Sequence, residues 1–462
     1  MKILLINPNM RSKFPQPPLG LASIASVIRD DNNEVEIIDA NALDLSEREV
    51  AKKTIESGAE LVGITAMTSC INEAEKIAGK IKKLDKSKLI VLGGSHVSVL
   101  KESLLESNHN IDFVIFREGE ETIVELIDAI KNNGNLKKIK GLCYRDGKKI
   151  ITNAARGYIR DLDSLPMPAY DLLPIEKYRP FPPHGRKLPY MAIMTSRGCP
   201  FNCLFCYKDL FGRNYTTKST KKIIEEIKYL VQELEVKEIV FYDDTFTLKE
   251  ERVIELCDEM IKNDLVIPWS CETRVNLVNK QLLLKMKEAG CYIISYGIES
   301  GNQKILDVLR KGIKLSDSER AVKITKDVGI AVVAYFMIGC PEETRENMRE
   351  TLDFAKSLDP DFAQFSICTP IPGSDLYKLA IEKGMKPDNW KSLLYVSNGS
   401  DFKPFLFSDK MSEEELKQWY SKAYKEFYLR PKYFLKALTR MRSLDDVKIN
   451  INGIKMLLSF LR

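Results

Sequence analysis

From its start to about position 135 the chain alternates short apolar runs with longer stretches in which apolar positions recur every three to four residues. Residues 2–6, 35–39, 61–65, 89–92 and 113–116 have the length and β-branched content of buried strands. Residues 21–29, 71–83 and 122–131 carry helical periodicity. Continuous apolar strands spaced by helices predict a parallel, doubly wound, Rossmann-like α/β sheet covered on both faces. Such sheets bind ligands at the carboxyl ends of their strands. Those ends hold Thr65 and Ser69, Gly93-Gly94-Ser95-His96, and Glu118-Gly119-Glu120. Small residues there admit a large flat or phosphate-bearing ligand to the backbone, and an ordinary tight turn uses the same residues.

Residues 142–151 read as a hairpin around Asp146-Gly147. The stretch 161–189 is dense in proline, with Pro166, Pro168, Pro174, Pro180, Pro182, Pro183 and Pro189. It can be neither sheet interior nor long helix, so a domain boundary falls there. From 190 the alternation resumes with strands at 190–195, 238–242, 269–273, 292–298, 331–338 and 362–367. Helices are predicted at 220–234, 250–262, 280–288, 316–328 and 345–358. Six strands are too few for a closed eightfold barrel. The predicted organisation is a sheet domain over 1–135, a hairpin and linker over 136–189, a second α/β unit over 190–378 and a helical region over 379–462.

Composition adds little until charge is mapped along the chain. With 462 residues, 44% hydrophobic and 29% charged, there is material for two or three cores. Ten cysteines show no disulfide-type pairing, and the opening apolar run is too short for a signal peptide or a membrane span. The expectation is a reducing cytoplasm. Net charge is only +5, yet residues 421–462 hold ten Lys or Arg against three acids, interleaved with aromatic residues. Three readings stand: a helical cap with a solvated basic face, peripheral contact with an anionic inner membrane face, or RNA binding. The cap leads, and nucleic acid comes last because no separate nucleic-acid-binding domain follows.

The chemistry concentrates in one loop. Cys199, Cys203 and Cys206 lie within Thr195-Ser196-Arg197-Gly198-Cys199-Pro200-Phe201-Asn202-Cys203-Leu204-Phe205-Cys206-Tyr207. Three thiolates so close share one soft metal centre. A 4Fe-4S cluster normally takes four cysteines, so three leave one iron open to a ligand that is not protein. The alternative, structural zinc, needs four ligands, usually in two knuckles, and no second knuckle follows. The other seven cysteines are scattered singly, where a free thiol behaves as a small hydrophobe.

This run, with Phe205 before the third cysteine, resembles that of the radical S-adenosylmethionine enzymes. The resemblance implies a partial (β/α)6 radical SAM barrel in which S-adenosylmethionine chelates the open iron. Its reductive cleavage then gives a hydrogen-abstracting adenosyl radical, with flavodoxin or ferredoxin as reductant under anaerobic conditions. It further implies cofactor contacts at the strand ends: Tyr242, Asp243 and Asp244 near the amino group, Glu272 and Arg274 after the third strand, Glu299 and Ser300 at the ribose or sulfonium, and the exposed Ile338 backbone at the adenine edge. Asp243 and Asp244 equally suit a helix N-cap.

Taken in order, Pro17-Pro18-Leu19-Gly20-Leu21, Gly93-Gly94-Ser95-His96 and Gly119-Glu120-Glu121-Thr122 resemble the cobalamin-binding domain fused to many of these enzymes. The resemblance implies cobalamin near Thr65, Ser69, Gly93, Gly94, His96, Glu118, Gly119 and Glu120. It also implies no histidine below the cobalt, since the chain lacks an Asp-X-His-X-X-Gly run; a retained but empty sheet stays open as the other reading. The implied function is cobalamin-dependent methyl transfer to an unactivated carbon of a hydrophobic substrate, lipids included. Radical carbon–carbon bond formation or cyclisation without methyl transfer, and a cluster or cobalamin protein without turnover, are the alternatives.

Overall fold

The structure, a computed structural model, describes residues 1–30, 33–384, 408 and 410–433. The first sheet contains β1 (Lys2–Asn7), β2 (Glu34–Asp39), β3 (Leu61–Thr65), β4 (Leu89–Gly93), β5 (Phe113–Ile115), β6 (Leu142–Asp146) and β7 (Lys149–Thr152). Its order is β2-β1-β3-β4-β5-β6-β7. The first five strands are parallel, and apolar helix faces bury both sides of the sheet. The hairpin is not free-standing, because β6 pairs antiparallel with β5 and extends the sheet. Strand order reverses between β1 and β3, which puts the ligand crevice over their carboxyl ends.

The second unit is a six-stranded parallel sheet in the order β15-β14-β13-β12-β11-β8. It comprises β8 (Tyr190–Ile193), β11 (Glu238–Phe241), β12 (Trp269–Thr273), β13 (Cys291–Glu299), β14 (Ala331–Ile338) and β15 (Phe362–Ile367). Between them a two-stranded ribbon pairs β9 (Ser196–Arg197) with β10 (Thr216–Thr217). The strand predicted over 190–195 ends early because the Thr195 N–H donates to Asp243 Oδ1 at 3.0 Å instead of continuing a ladder. Trp269, Phe241 and Phe246 pack edge to face and tilted at the centre of the helix-covered side.

Segments from outside the second sheet close its concave face. The proline-rich linker crosses the amino ends of the strands, where Glu238 accepts the Gly185 and Lys187 N–H groups and the Tyr292 hydroxyl. From the first unit, Gln16 Oε1 accepts Tyr190 Oη at 2.7 Å and Tyr242 Oη at 2.5 Å. Asp39 accepts the Tyr178 hydroxyl at 3.0 Å. The two units are thus joined by buried polar contacts as well as by the chain.

β15 is an edge strand, and its free backbone groups would invite pairing with another chain. The helix Glu413–Tyr428 covers it. Tyr424 Oη lies 3.2 Å from the Phe365 nitrogen and 3.1 Å from its carbonyl, and Tyr428 Oη bridges the same groups of Ala363 at 3.0 and 2.7 Å. Tyr424 and Phe427 are buried against the barrel. The described part of the basic stretch is therefore a cap, and its buried aromatic residues are not available to a membrane. The remainder of that stretch, 434–462, lies outside the described residues. No described helix is long and apolar enough to cross a membrane.

Candidate functional site

Gly198 starts the cysteine loop at φ +84°, and a Cβ there would lie 2.2 Å from the Asn214 carbonyl oxygen. Only glycine fits this turn from β9. The loop is then tied to the barrel: Leu204 N–H donates to Leu309 O, Leu376 N–H to Leu204 O, and Cys206 N–H to Cys203 O. Lys208 Nζ donates to the Cys203 carbonyl at 3.0 Å. Cys203 is buried while Cys206 faces the opening. Although Cys206 reaches solvent, desolvation by the protein around it, then Asp244 and the other two thiols, pushes its thiol up to about 11. A bound metal centre must displace that proton.

The donor set fits an iron–sulfur cluster better than zinc. Structural zinc takes four protein ligands, whereas this loop supplies three thiolates, the number that leaves one iron of a 4Fe-4S cluster open. The three cysteines ring a loop backed by cations. Arg274 Nη1 approaches Cys203 Sγ at 3.6 Å, and its guanidinium lies 3.8 Å from the Phe201 ring centroid. Its remaining donors go to the Lys311 carbonyl and to Asn276. Arg274, expected at the cofactor, therefore faces the cysteine loop directly.

The carboxylates at the strand ends divide into two kinds. Asp243 is buried and accepts the Thr195 N–H and hydroxyl and the Ser196 hydroxyl, the last at 2.5 Å. Its oxygens are spent on the preceding strand end, so it braces the loop. Asp244 reaches solvent beside the Gly198 N–H, but desolvation by the surrounding protein and then Asp243 raise its carboxyl against that hydrogen bond. Glu272 reaches water through the barrel lumen but is walled by protein, which raises its carboxyl against the hydrogen bond from Tyr335 Oη at 2.9 Å. Glu299 and Asp244 stand near enough to raise it further. His184, Tyr242, Tyr335 and Gln364 line the same lumen.

Glu299 sits at φ +71° where β13 slips register against β14. Its Oε1 meets Lys311 Nζ at 2.6 Å, with both side chains under 10% exposed. A Cβ at residue 297 would fall 2.5 Å from that oxygen, so Gly297 makes room for the pair. Lys311 Nζ also stands 5.9 Å from the Phe205 ring centroid. Ser300 is fully buried and bonded to Thr351, holding the turn. Ile338 differs from the expectation of an exposed backbone: its carbonyl accepts Cys368 N–H at 2.8 Å because the β14–β15 ladder runs on past it.

On the first sheet, register pairs Thr65 with Gly93 at the carboxyl edge. Gly94, at φ +117°, lies so close to Ala66 that a Cβ would be 2.6 Å from its carbonyl oxygen. His96 is buried and its Nδ1 lies 3.0 Å from Thr68 Oγ1; burial pushes the imidazole down to about 4, so it is neutral. Ser69 contacts Met10, and Met67 is 43% exposed on this edge, an apolar surface suited to a flat macrocycle. Glu118 and Glu120, with Gly119 between them, point elsewhere: both carboxylates bind Arg197, at 2.7 and 2.6 Å. Local sequence pattern carries no signal for Arg197 or Gln16, whose partners lie far along the chain, or for Lys311, twelve residues beyond Glu299.

A partial barrel with a three-cysteine loop, fused to a nucleotide-type sheet whose carboxyl edge faces that loop, defines a radical SAM enzyme with a cobalamin domain. The Radical SAM superfamily matches residues 193–355, and the B12 binding domain family matches residues 10–127. An uncharacterized methyltransferase of Pyrococcus horikoshii is 39% identical over 444 residues, 94% of each chain. The anaerobic magnesium-protoporphyrin IX monomethyl ester cyclase of Rubrivivax gelatinosus is 31% identical, covering 93% of this chain and 78% of that one. The solved structure of the cobalamin-dependent S-adenosylmethionine radical enzyme OxsB, with aqua-cobalamin and S-adenosylmethionine bound, shares the fold at a TM-score of 0.77 and 16% identity over 99% of this chain and 71% of that one. The chain belongs to the cobalamin-binding radical SAM family, an enzyme family that uses S-adenosylmethionine, a 4Fe-4S cluster and cobalamin.

Proposed function

We propose that this enzyme transfers a methyl group to an unactivated carbon of a hydrophobic substrate, lipids among the candidates. The observation that carries the reading is the meeting of two sites: Gly373 of the second unit lies against both Tyr207 of the cysteine loop and Val99 of the first unit, and Asp209 accepts Arg117 of the first unit, which sets the cysteine loop against the carboxyl edge of the first sheet. Cys199, Cys203 and Cys206 would hold the cluster, with S-adenosylmethionine at Asp244, Glu272 and Glu299 and cobalamin over Thr65, Ser69, Gly93 and His96. When bound, the cluster with S-adenosylmethionine supplies a hydrogen-abstracting radical and cobalamin supplies the methyl group.

The chain's own work is orientation and shielding. Arg274 holds Cys203 and Phe201 in place, Lys311 aims the Glu299 carboxylate, and Gln16 with the linker closes the lumen. Met67 and Ile371, 43% and 44% exposed on the loops after β3 and β15, support an apolar substrate. Flavodoxin or ferredoxin as reductant, and membrane contact through the tail beyond 433, belong to the same proposal. The 31% identical cyclase favours a second reading, ring or carbon–carbon bond formation without methyl transfer.

Anaerobic holoenzyme with dithionite, methyl-labelled S-adenosylmethionine and a lipid extract separates the two. Methyl transfer yields labelled lipid with both S-adenosylhomocysteine and 5′-deoxyadenosine. Formation of 5′-deoxyadenosine and methionine with no S-adenosylhomocysteine overturns methyl transfer and favours the cyclase-like reading.

A further inference from the structure

The loop after β5 grips the cysteine run at both ends. Upstream, Arg197 lies two residues before Cys199. Its Nη1 donates to Glu118 Oε1 at 2.7 Å and its Nη2 to Glu120 Oε1 at 2.6 Å. The three side chains are only 12%, 4% and 7% exposed. Both carboxylates are fixed a second time, Glu118 by the Ile159 N–H at 2.7 Å and Glu120 by the Ser23 hydroxyl at 2.8 Å. Downstream, Asp209 lies three residues after Cys206 and accepts Arg117 Nη2 at 2.5 Å and the Tyr158 hydroxyl at 3.0 Å. Arg117 is held at φ +65° with its N–H on Ser98 Oγ at 2.8 Å. Four consecutive residues, 117–120, therefore bracket residues 197–209 from the side of the first sheet.

Of the roughly four acceptor sites on each carboxylate, Arg197 and a second donor take two on Glu118 and two on Glu120, and both side chains are under 10% exposed. Charge-assisted, two-armed pairing of this kind fixes geometry more strictly than a single contact. We propose that Arg117, Glu118 and Glu120 are positioning residues that clamp the cluster loop to the cobalamin-side sheet, through Arg197 and Asp209, and do not contact cobalamin. The clamp sets the separation and orientation of the two cofactors. The proposal rests on the family membership for the presence of both cofactors and on this chain's geometry for the clamp.

The test uses reconstituted, cobalamin-loaded enzyme with iron and cobalt counted. Removing Arg197 alone would strand two buried acids, so the main variant is R197M/E118Q/E120Q, with E118Q, E120Q and R197K beside it. R117M/D209N breaks the more exposed arm and answers the same question should the triple variant not fold. The readout is the magnetic interaction between the reduced cluster and cob(II)alamin in the electron paramagnetic resonance spectrum, together with the Kd for hydroxocobalamin. The clamp predicts an interaction in the wild type that falls at least twofold in the clamp variants and recovers in part in R197K, with the cobalamin Kd changed less than threefold. An unchanged interaction, no interaction in the wild type, or a tenfold weaker cobalamin Kd in E118Q and E120Q overturns it. Wild-type protein that takes up neither iron nor cobalt would instead count against the family reading, while loop 198–209 would still show faster hydrogen exchange in the clamp variants.

Discussion

Replacing Lys311 with methionine removes the only cation bonded to Glu299 among the described residues while leaving the carboxylate under 10% exposed. At the observed 2.6 Å, the direct attraction is about 6 kcal/mol for an effective dielectric near 20, and desolvation of both groups offsets much of it. Breaking one side of such a pair costs about 3–5 kcal/mol, because the remaining charge is stranded. K311M should therefore lower unfolding free energy by that amount in anaerobic urea titrations. K311M/E299Q should recover most of the loss, since no lone charge remains. E299Q alone strands the lysine, and should also weaken S-adenosylmethionine binding if Glu299 contacts the cofactor. A loss below about 1 kcal/mol in K311M, or a double variant no better than the single, would refute the assignment of Glu299 as a carboxylate held by its lysine.

Other outcomes follow from single contacts. Gly198→Ala meets the Asn214 carbonyl at 2.2 Å and a left-handed φ; about 1–3 kcal/mol of strain should sharply reduce iron bound per chain after reconstitution, and normal iron content would count against the turn argument. Burial raises the Glu343 carboxyl to about 7, opposed by N–H donors from Cys340 and Gly339. Its contribution is full below the unfolded value near 4.3 and is lost as pH rises through about 7, a fall of about 4 kcal/mol. The difference in stability between wild type and E343Q should track that window, and a flat difference from pH 5 to 8 would contradict it. Y424F/Y428F removes the hydroxyls that satisfy buried groups of Phe365 and Ala363; each should cost about 1–3 kcal/mol and promote association through the bared edge, read by light scattering.

The strands of both sheets were legible because parallel strands buried on two faces read as apolar runs. The cysteine loop was legible because its ligands are local. Local pattern misread what depends on distant partners. The helix Glu47–Glu56 went unpredicted for a different reason: it is so charged that its apolar stripe is weak, although the Ser46–Glu49 capping box that starts it is local. The strand predicted over 190–195 is cut short by Asp243, about fifty residues on. Glu118 and Glu120 drew attention as ligand-facing acids, whereas Arg197, 77 residues beyond Glu120, takes their charge. The basic tail read as amphipathic because Tyr424, Phe427 and Tyr428 recur on one face, and that face is spent on β15.

The most direct test of the account counts iron, sulfide and cobalt in anaerobically prepared, reconstituted wild type and Cys203→Ala, with 5′-deoxyadenosine formation measured on the same samples. The account predicts about four irons and one cobalt per wild-type chain, with cluster and cleavage both lost in C203A and cobalt retained. Stoichiometric zinc in place of iron, or S-adenosylmethionine cleavage that survives in C203A, would contradict it.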